Sequence, residues 1–388
     1  MSEPNSVMDS HFQLGMNAIS LLSPLTGIGQ YTYNLILELQ KTLTRAPLLF
    51  YGLNWSNELR STPLPRINLI KKAAKKFIPR PHVLSYFLQK RRFLAGIKHK
   101  QPTLYHEPNY VTYPFTGPTV ITIHDLSHVR YPETHPIERV RHLNRHMTRS
   151  INHARIILVD SDFVKREVID YFGVPANKIV VATLGVAAHF SPATSETCRL
   201  SLQKYHLQYG KYILSVSTLE PRKNLASILQ AYELLPNYIR QQYPLVIVGM
   251  QGWHTHDLMQ KFDKLIQKQQ VILTGFVSEQ DLPFLYSGAT VFLYPSLYEG
   301  FGLPPLEAMA CGVPVIASNS SSFPEVVGDA GILVGALDVA DWAHQIQLLI
   351  EDENLKKHYK QLGPERAKIF SWEQCARQTL QAYQLAMQ

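Results

Sequence analysis

Residues 294–310 read YPSLYEGFGLPPLEAMA, and they follow directly on the apolar run at 291–293. Pro304 and Pro305 suit the start of a helix, because proline's missing N–H would have no partner there anyway. The apolar spacing through Ala310 continues as a helical pattern. A buried strand that passes through a glycine-containing loop into a helix is the unit from which parallel α/β sheets are built. The segment therefore predicts an α/β fold.

The same loop has the composition of a ligand site. Gly300 and Gly302 leave room for backbone amides to approach a ligand, and the start of a helix attracts anions, so residues 300–303, with Phe301 and Leu303, could hold a diphosphate. Glu307 in the first turn could accept the vicinal hydroxyls of a ribose, and Glu299 would point into the same crevice. Alone, Glu307 is more typical of a carboxylate that complements the helix dipole. The whole arrangement favours a ligand site.

Short β-branched runs alternate with helical patterns along the whole chain. We predict strands at 13–18, 48–53, 119–123 and 155–159, and again at 211–217, 245–248, 271–273, 291–294 and 313–317. The polar segment 187–198 between the two series contains Pro192 and has no clear periodicity, so it is the predicted linker. We expect two doubly wound domains, 1–190 and 199–370, followed by a final helix at 371–388. Ligands in such folds bind at the carboxyl ends of the strands.

Three further positions follow predicted strands. Arg222 and Lys223 could supply cations for a diphosphate, although a pair of this kind is by itself more typical of a solvated helix start. Gly27 and Gly29 form a glycine turn after the first strand, which is a weak signal, and the chain lacks the G-x-G-x-x-G fingerprint of a dinucleotide oxidoreductase. His124 comes directly after the strand predicted at 119–123, where a crevice residue would lie. A lone histidine is more often structural.

A metal site is not expected. Asp160-Ser161-Asp162 is formally a D-x-D motif, which binds a divalent cation in one class of sugar transferases. It precedes a helical pattern, however, and Ser161 or Asp162 is a natural N-cap. The three cysteines, Cys198, Cys311 and Cys375, lie far apart, which argues against a zinc site or a disulfide framework and fits a reducing cytosol.

The charge of the chain is concentrated in one tract. The 388 residues carry a formal net charge of +8, yet residues 60–100 contain twelve Lys or Arg and no Asp or Glu, so the rest of the chain is slightly acidic. A basic amphipathic tract is typical of an anionic membrane surface, and a solvated face explains it equally well. Nucleic-acid binding is less supported, because no recognition motif accompanies the charge. No apolar run is long enough to span a bilayer and no signal peptide is evident, so we expect a cytoplasmic protein, peripheral at most.

The chain resembles the family-4 retaining glycosyltransferases of the GT-B fold. The resemblance depends on Glu299 and Glu307 with seven residues between them, together with the Arg222-Lys223 pair, the glycine turn and His124. The segments 26–32 and 218–224 resemble the branch of bacterial mannosyl- and rhamnosyltransferases that builds surface polysaccharides, including lipopolysaccharide. The resemblance implies two Rossmann-like domains that face a central cleft, with the last helix returning to the N-terminal domain.

The resemblance also implies roles for single residues. Arg222 and Lys223 would bind the donor diphosphate beside Gly29, and Glu307 would hold the ribose. The loop from Glu299 to Leu303 would meet the sugar and phosphate, His124 would line the sugar pocket, and the loop around Val277 would meet the base. Many relatives carry Gly-Arg where this chain has Ser217-Thr218. One cation of the family is therefore missing, which leaves more of the diphosphate charge to Arg222 and Lys223.

The expected activity is retaining transfer of a hexose to a glycan or a lipid-diphosphate-linked acceptor. The favoured sugar is mannose, and the favoured donor is GDP-mannose. No metal or other cofactor, and no nucleic acid, is expected. A UDP-sugar donor stays open as an alternative, as does a sugar-nucleotide epimerase or phosphorylase of similar fold.

Overall fold

The N-terminal half forms one seven-stranded sheet in this computed structural model, which describes residues 11–23, 25, 27–60, 81–253 and 256–388. The strand order is β3-β2-β1-β4-β5-β6-β7. All pairs are parallel except β2 with β3, which are antiparallel. The strands are β1 Leu14–Asn17, β2 Leu48–Phe50, β3 Trp55–Ser56, β4 Leu104–Glu107, β5 Thr119–Ile123, β6 Ile156–Val159 and β7 Ile179–Val181.

The C-terminal half forms a second, fully parallel sheet of six strands in the order β10-β9-β8-β11-β12-β13. Its centre is apolar and buried along whole strands, because helices cover both faces of a parallel sheet. The strands are β8 Ile213–Val216, β9 Leu245–Val248, β10 Val271–Gly275, β11 Val291–Tyr294, β12 Val315–Ser318 and β13 Ile332–Val334.

Helices connect the strands of both sheets, as the alternating pattern of the sequence predicts. In the N-terminal half they are α1 Gly27–Thr42, α2 Pro81–Lys100, α3 Ser127–Arg130, α4 Ile137–His153 and α5 Asp162–Phe172. The others are α6 Ser195–Lys204, α7 Leu225–Leu234, α8 Asn237–Gln242, α9 His256–Gln267, α10 Leu282–Ser287, α11 Leu303–Ala310, α12 Phe323–Val326, α13 Val339–Glu351, α14 Glu353–Ala367 and α15 Trp372–Met387.

The last helix, α15, returns to the N-terminal sheet. Ser371 caps it by accepting the Gln374 amide at 3.1 Å. From its far end the Tyr383 hydroxyl reaches Nδ1 of His106 on β4 at 2.8 Å. At its start, a Cβ on Gly185 would lie 2.1 Å from the Trp372 nitrogen, so only glycine allows this approach of the two backbones. The predicted architecture, including the returning helix, is confirmed.

Four strands escaped the sequence analysis. Strand β4 carries His106 and Glu107, which are polar and yet buried. His106 is hydrogen-bonded to Thr122 at 2.8 Å, and Glu107 accepts from Tyr105 at 2.9 Å. Strand β3 has two residues, and strands β7 and β13 have three each, too few for a periodic signal. Helix α1 begins at Gly27, so the predicted glycine turn is in fact its first turn.

The basic tract is described in part. Its second segment lies in α2, where Phe87 and Leu88 are 53% and 48% exposed. The helix predicted from the spacing of Ile67, Ile70, Ala74 and Phe77 lies outside the described residues. Within the described part of the chain, every helix is too short or too polar to cross a bilayer.

Candidate functional site

The candidate site begins where β8 and β11 end. These strands are parallel neighbours, so the loops that follow them emerge at the same sheet edge. The first loop turns through the short 3-10 helix Pro221–Lys223 and stops at Asn224, which adopts a φ of 53°. The Asn224 amide donates to the carbonyl oxygens of Pro295 at 3.1 Å and Ala336 at 2.7 Å. This asparagine therefore fixes the two loops to each other.

The two predicted cations share one carboxylate. Lys223 Nζ donates to Glu299 Oε1 and, at 3.1 Å, to the hydroxyl of Tyr294. Arg222 Nη1 lies 2.9 Å from Glu299 Oε2, and its Nη2 lies 2.9 Å from Glu220. The arginine is almost entirely buried, and its Nε is a buried donor with no hydrogen-bond partner among the described residues. One donor of the guanidinium is thus unsatisfied within the described part of the chain.

The charges of this cluster stabilise one another. Burial by itself would raise the pKa of Glu299, but Arg222 and Lys223 outweigh it and lower that pKa to about 2. Burial opposes the charge of Arg222 as well, yet Glu299, Asp125 and Glu220 together raise its pKa. Asp125 belongs to the opposite domain. The cluster is therefore ionised at neutral pH and its field extends across the cleft.

The start of α11 supplies backbone donors next to this cluster. Gly302 has a φ of 110°, and a Cβ there would approach Phe323 to 2.9 Å, so glycine is required. Pro304 and Pro305 carry no N–H, which leaves the amides of Gly302 and Leu303 as the free donors expected of a first turn. Phe301 is buried and its ring packs edge-on against Phe370 at 5.6 Å.

Gly300 lies at one of the contacts between the two domains. A Cβ on Gly300 would lie 1.7 Å from the carbonyl oxygen of His124, and Ser161 Oγ donates to the Gly300 carbonyl at 2.7 Å. The sequence suggested that this glycine admits a ligand. The structure gives a different reason for it, the close approach of the N-terminal domain.

His124 is held by protein groups on both sides. Its Nδ1 lies 2.7 Å from Asp160 Oδ2 and its Nε2 lies 2.9 Å from the Pro108 carbonyl oxygen. Burial lowers the pKa of this imidazole, but Asp160 and the Pro108 carbonyl raise it by more. Because both nitrogens face acceptors, the geometry suits an imidazolium that orients the β5 loop. Whether His124 also lines a sugar pocket stays a prediction.

The D-x-D motif is divided between two structural tasks. Asp160 binds His124, and Ser161 caps α5 by accepting the Val164 amide at 3.2 Å, so the predicted N-cap is confirmed. Among the described residues, no group of three or more His, Cys, Asp or Glu side chains is placed to hold a metal ion.

The remaining predicted residues lie around Glu307. Burial raises the pKa of Glu307 to about 7, and the Tyr286 hydroxyl donates to its carboxylate at 2.9 Å. Val277 has its side chain in the core, while the neighbouring Phe276 is 60% exposed. The predicted contact of this loop with a base stays a prediction, and it falls on the backbone at 277 and the exposed ring of Phe276 rather than on the Val277 side chain.

Comparison with known proteins identifies the family. The model of Glycosyl transferases group 1 matches residues 203–366, and that of Glycosyltransferase Family 4 matches residues 25–190. O-antigen chain mannosyltransferase B of Escherichia coli is 39% identical over 372 residues, which are 93% of this chain and 97% of that protein. The chain belongs to the same glycosyltransferase family as that mannosyltransferase.

Solved structures agree on the fold of the glycosyltransferase. Sucrose-phosphate synthase from Thermosynechococcus elongatus superimposes with a TM-score of 0.75 at 20% identity, covering 96% of this chain and 98% of that one. The Anabaena protein HepE in complex with UDP and glucose gives a TM-score of 0.71 at 17% identity, over 96% and 100% of the two chains. The predicted GT-B fold is confirmed.

In this glycosyltransferase the predicted site residues form two groups joined by the segment 299–307. Arg222, Lys223 and Glu299 form the first group, and the residue after Glu299 is Gly300, which approaches His124. Glu307 and the Val277 loop form the second group, because the charge of Glu279 in that loop helps to raise the pKa of Glu307. Glu279 also accepts from Gln30 of α1 at 3.3 Å. Within α1, Gly27 has open space around it, and Gly29 would place a Cβ 3.2 Å from Leu25.

Sequence reasoning missed three residues of the site. Glu220 lay within the quoted motif, but nothing in a single sequence shows that it pairs with Arg222. Asp125 follows His124 and faces Arg222 only because the domains close on each other. Tyr298 stood beside Glu299 and was given no role. Its position after a strand and before a predicted ligand loop was the available signal.

Proposed function

We propose that this glycosyltransferase moves mannose from GDP-mannose to a glycan or lipid-linked acceptor, with retention of the α configuration and without a metal ion. The observation that carries the proposal is the cluster of Lys223, Arg222 and Glu299 beside the first turn of α11. The name of the Escherichia coli relative supports mannose as the sugar and an O-antigen glycan as the product. The UDP and glucose in the HepE structure support a nucleotide diphosphate sugar as the donor class.

The chemistry asks mainly for stabilisation of the leaving group. As the bond between the sugar C1 and the diphosphate oxygen breaks, negative charge grows on the diphosphate. Lys223, Arg222 and the amides of Gly302 and Leu303 are donors that could meet that charge. Preorganised donors of this kind are worth most in a site that excludes water.

Glu299 suits a binding role better than a nucleophilic one. Its two oxygens are engaged by Lys223 and Arg222, and a carboxylate stabilised to a pKa of about 2 is a weak nucleophile. We therefore favour attack by the acceptor hydroxyl on the face that the diphosphate leaves. The new C1–O bond forms there, and the acceptor proton passes to the departing phosphate oxygen.

The acceptor is proposed to reach the enzyme at the inner face of the cytoplasmic membrane. Helix α2 combines exposed Phe87 and Leu88 with Arg91 and Arg92, which also face solvent. Each basic residue near an anionic leaflet adds ~1 kcal/mol of attraction. Co-sedimentation with anionic vesicles at several salt concentrations tests this, and absence of binding at every salt concentration would contradict it.

A panel of nucleotide sugars tests the donor. GDP-mannose should release GDP in the presence of acceptor and should protect the protein against thermal unfolding, whereas UDP-sugars should do neither. Turnover should persist in excess chelator. Loss of activity with chelator and recovery with manganese would contradict the metal-independent mechanism.

Two further measurements address the reaction type. The acceptor should gain one hexose in mass, which an epimerase would not produce. A donor analogue that reacts slowly should leave Glu299 unmodified. A trapped glycosyl ester on Glu299 would replace same-face attack by a double displacement.

A further inference from the structure

Tyr298 belongs to the C-terminal domain by sequence, but its side chain lies in the N-terminal domain. The residue is 3% exposed. Its ring contacts Tyr131, which follows α3, and Phe163 of α5, with both centroids 5.7 Å away. The loop that carries Glu299 thus inserts one aromatic side chain into the opposite domain. We call the space that this ring fills, between Tyr131 and Phe163, the socket.

The hydroxyl of Tyr298 both accepts and donates a hydrogen bond inside the socket. It accepts the Leu126 amide at 2.9 Å and donates to the carboxylate of Glu167 on α5. Arg130 holds the other oxygen of Glu167 at 2.6 Å. Leu126 lies two residues after His124, so the socket is part of the loop that follows β5.

The backbone of the same residue is fixed to the proposed donor site. The Tyr298 carbonyl accepts from Arg222 Nη1 at 2.5 Å and from Ser296 Oγ at 3.3 Å. The next residue is Glu299, whose amide donates to Ser321 Oγ at 3.0 Å. One residue therefore connects Arg222 and Glu299 on one side of the cleft with the β5 loop on the other.

We propose that Tyr298 is a positioning residue that couples closure of the two domains to the geometry of the donor site. The inference rests on the proposed placement of the donor at Arg222 and Lys223. When the domains separate, the ring leaves its socket, and water replaces the hydroxyl as the hydrogen-bond partner of the Leu126 amide and of Glu167. When they close, the hydroxyl replaces that water and sets the position of the Glu299 loop against the N-terminal domain.

Tyr298→Phe removes this coupling with the smallest change. The ring still fills the socket, but closure then buries the Leu126 amide and one oxygen of Glu167 without the hydroxyl. A hydrogen bond to a charged group is worth a factor of roughly 10 to 100 in an equilibrium constant, so the equilibrium constant for closure should fall by about that factor. The donor diphosphate meets Arg222 and Lys223 in either state.

The test measures three quantities on the full chain: kcat for hexose transfer, the Kd of GDP, and the radius of gyration of the unliganded protein by X-ray scattering. Tyr298→Phe should lower kcat about 10- to 100-fold and enlarge the radius, while the Kd of GDP changes by less than about twofold. The matched control is Tyr232→Phe. That hydroxyl donates to the backbone carbonyl oxygens of Arg240 at 3.0 Å and Tyr243 at 3.2 Å within one domain, and its loss should leave all three quantities unchanged.

A double variant separates coupling from general destabilisation. If Tyr298 and Glu167 form one closing contact, then Tyr298→Phe with Glu167→Gln should lose no more kcat than the worse single variant. Unchanged kcat and radius in Tyr298→Phe would overturn the inference, and so would a loss of GDP affinity as large as the loss of kcat. If the wild type transfers no hexose and binds no GDP, the proposed function fails, while the scattering comparison still decides the role of Tyr298 in closure.

Discussion

Gly300→Ala should separate the two domains of the enzyme. A Cβ at this position would lie 1.7 Å from the His124 carbonyl oxygen and 2.8 Å from the carbon of the same group. Both atoms are backbone, so no side chain can turn aside. Contacts under 3.0 Å are essentially never found for Cβ atoms, so the two backbones must move apart by roughly 1.3 Å. The Ser161–Gly300 hydrogen bond of 2.7 Å would then be lost.

The effect on turnover follows from the size of that displacement. A misplacement of about 1 Å at a reacting centre costs ~10²-fold in rate, so kcat for hexose transfer should fall at least that far. GDP affinity should change little, because Lys223, Arg222 and the first turn of α11 all lie in the C-terminal domain. Initial rates with saturating donor and calorimetric titration with GDP give the two numbers.

Gly335→Ala is the matched control for this variant. It places a Cβ 3.4 Å from Asp338, an ordinary contact, on an exposed turn of the same domain. Its turnover and GDP affinity should equal those of the wild type. Should Gly300→Ala retain kcat within about twofold of the wild type, the closed contact at His124 is not the reacting arrangement.

Three more predictions concern single groups. Lys223→Ala should lower kcat by ~10²–10³-fold while the protein stays folded. Lys204→Ala, which removes a cation paired with Asp281 at 2.7 Å, should keep full turnover, and equal rates for both variants would contradict the role of Lys223. Glu307 has a pKa of about 7 and must be ionised to accept ribose hydroxyls, so donor affinity should be full above pH 7 and should weaken below it, at most tenfold per pH unit. Glu307→Gln should abolish this pH dependence of the KM for the donor. A pH dependence that survives in the variant would count against Glu307. Gly185→Ala should cost ~1–3 kcal/mol of unfolding free energy in a denaturant titration, since its Cβ would meet the backbone at Trp372, and an unchanged midpoint would show that the returning helix can shift.

The sequence predicted the framework well because its signals are local. The buried strands at Thr119–Ile123, Leu245–Val248 and Val291–Tyr294 are continuous apolar runs bounded by turns, and they have the predicted bounds. The cap at Ser161 is also local, since it depends on residues within three positions. Strand β4 failed for the opposite reason, because its polar residues are satisfied by partners far along the chain.

The site could be predicted as a set of residues but not as a set of contacts. Lys223 and Glu299 were both expected in the cleft, yet their direct pairing depends on β8 and β11 being neighbours in the sheet. The reason for Gly300 and the placement of Tyr298 depend on how the two domains meet. No local pattern encodes that distance.

The most direct measurement of the central claim is the crystal structure of the enzyme with GDP bound. The account predicts the diphosphate within hydrogen-bond distance of Lys223 Nζ and of the amides of Gly302 and Leu303, with the ribose hydroxyls on Glu307. A nucleotide bound elsewhere, with Lys223 still paired only to Glu299, would contradict it.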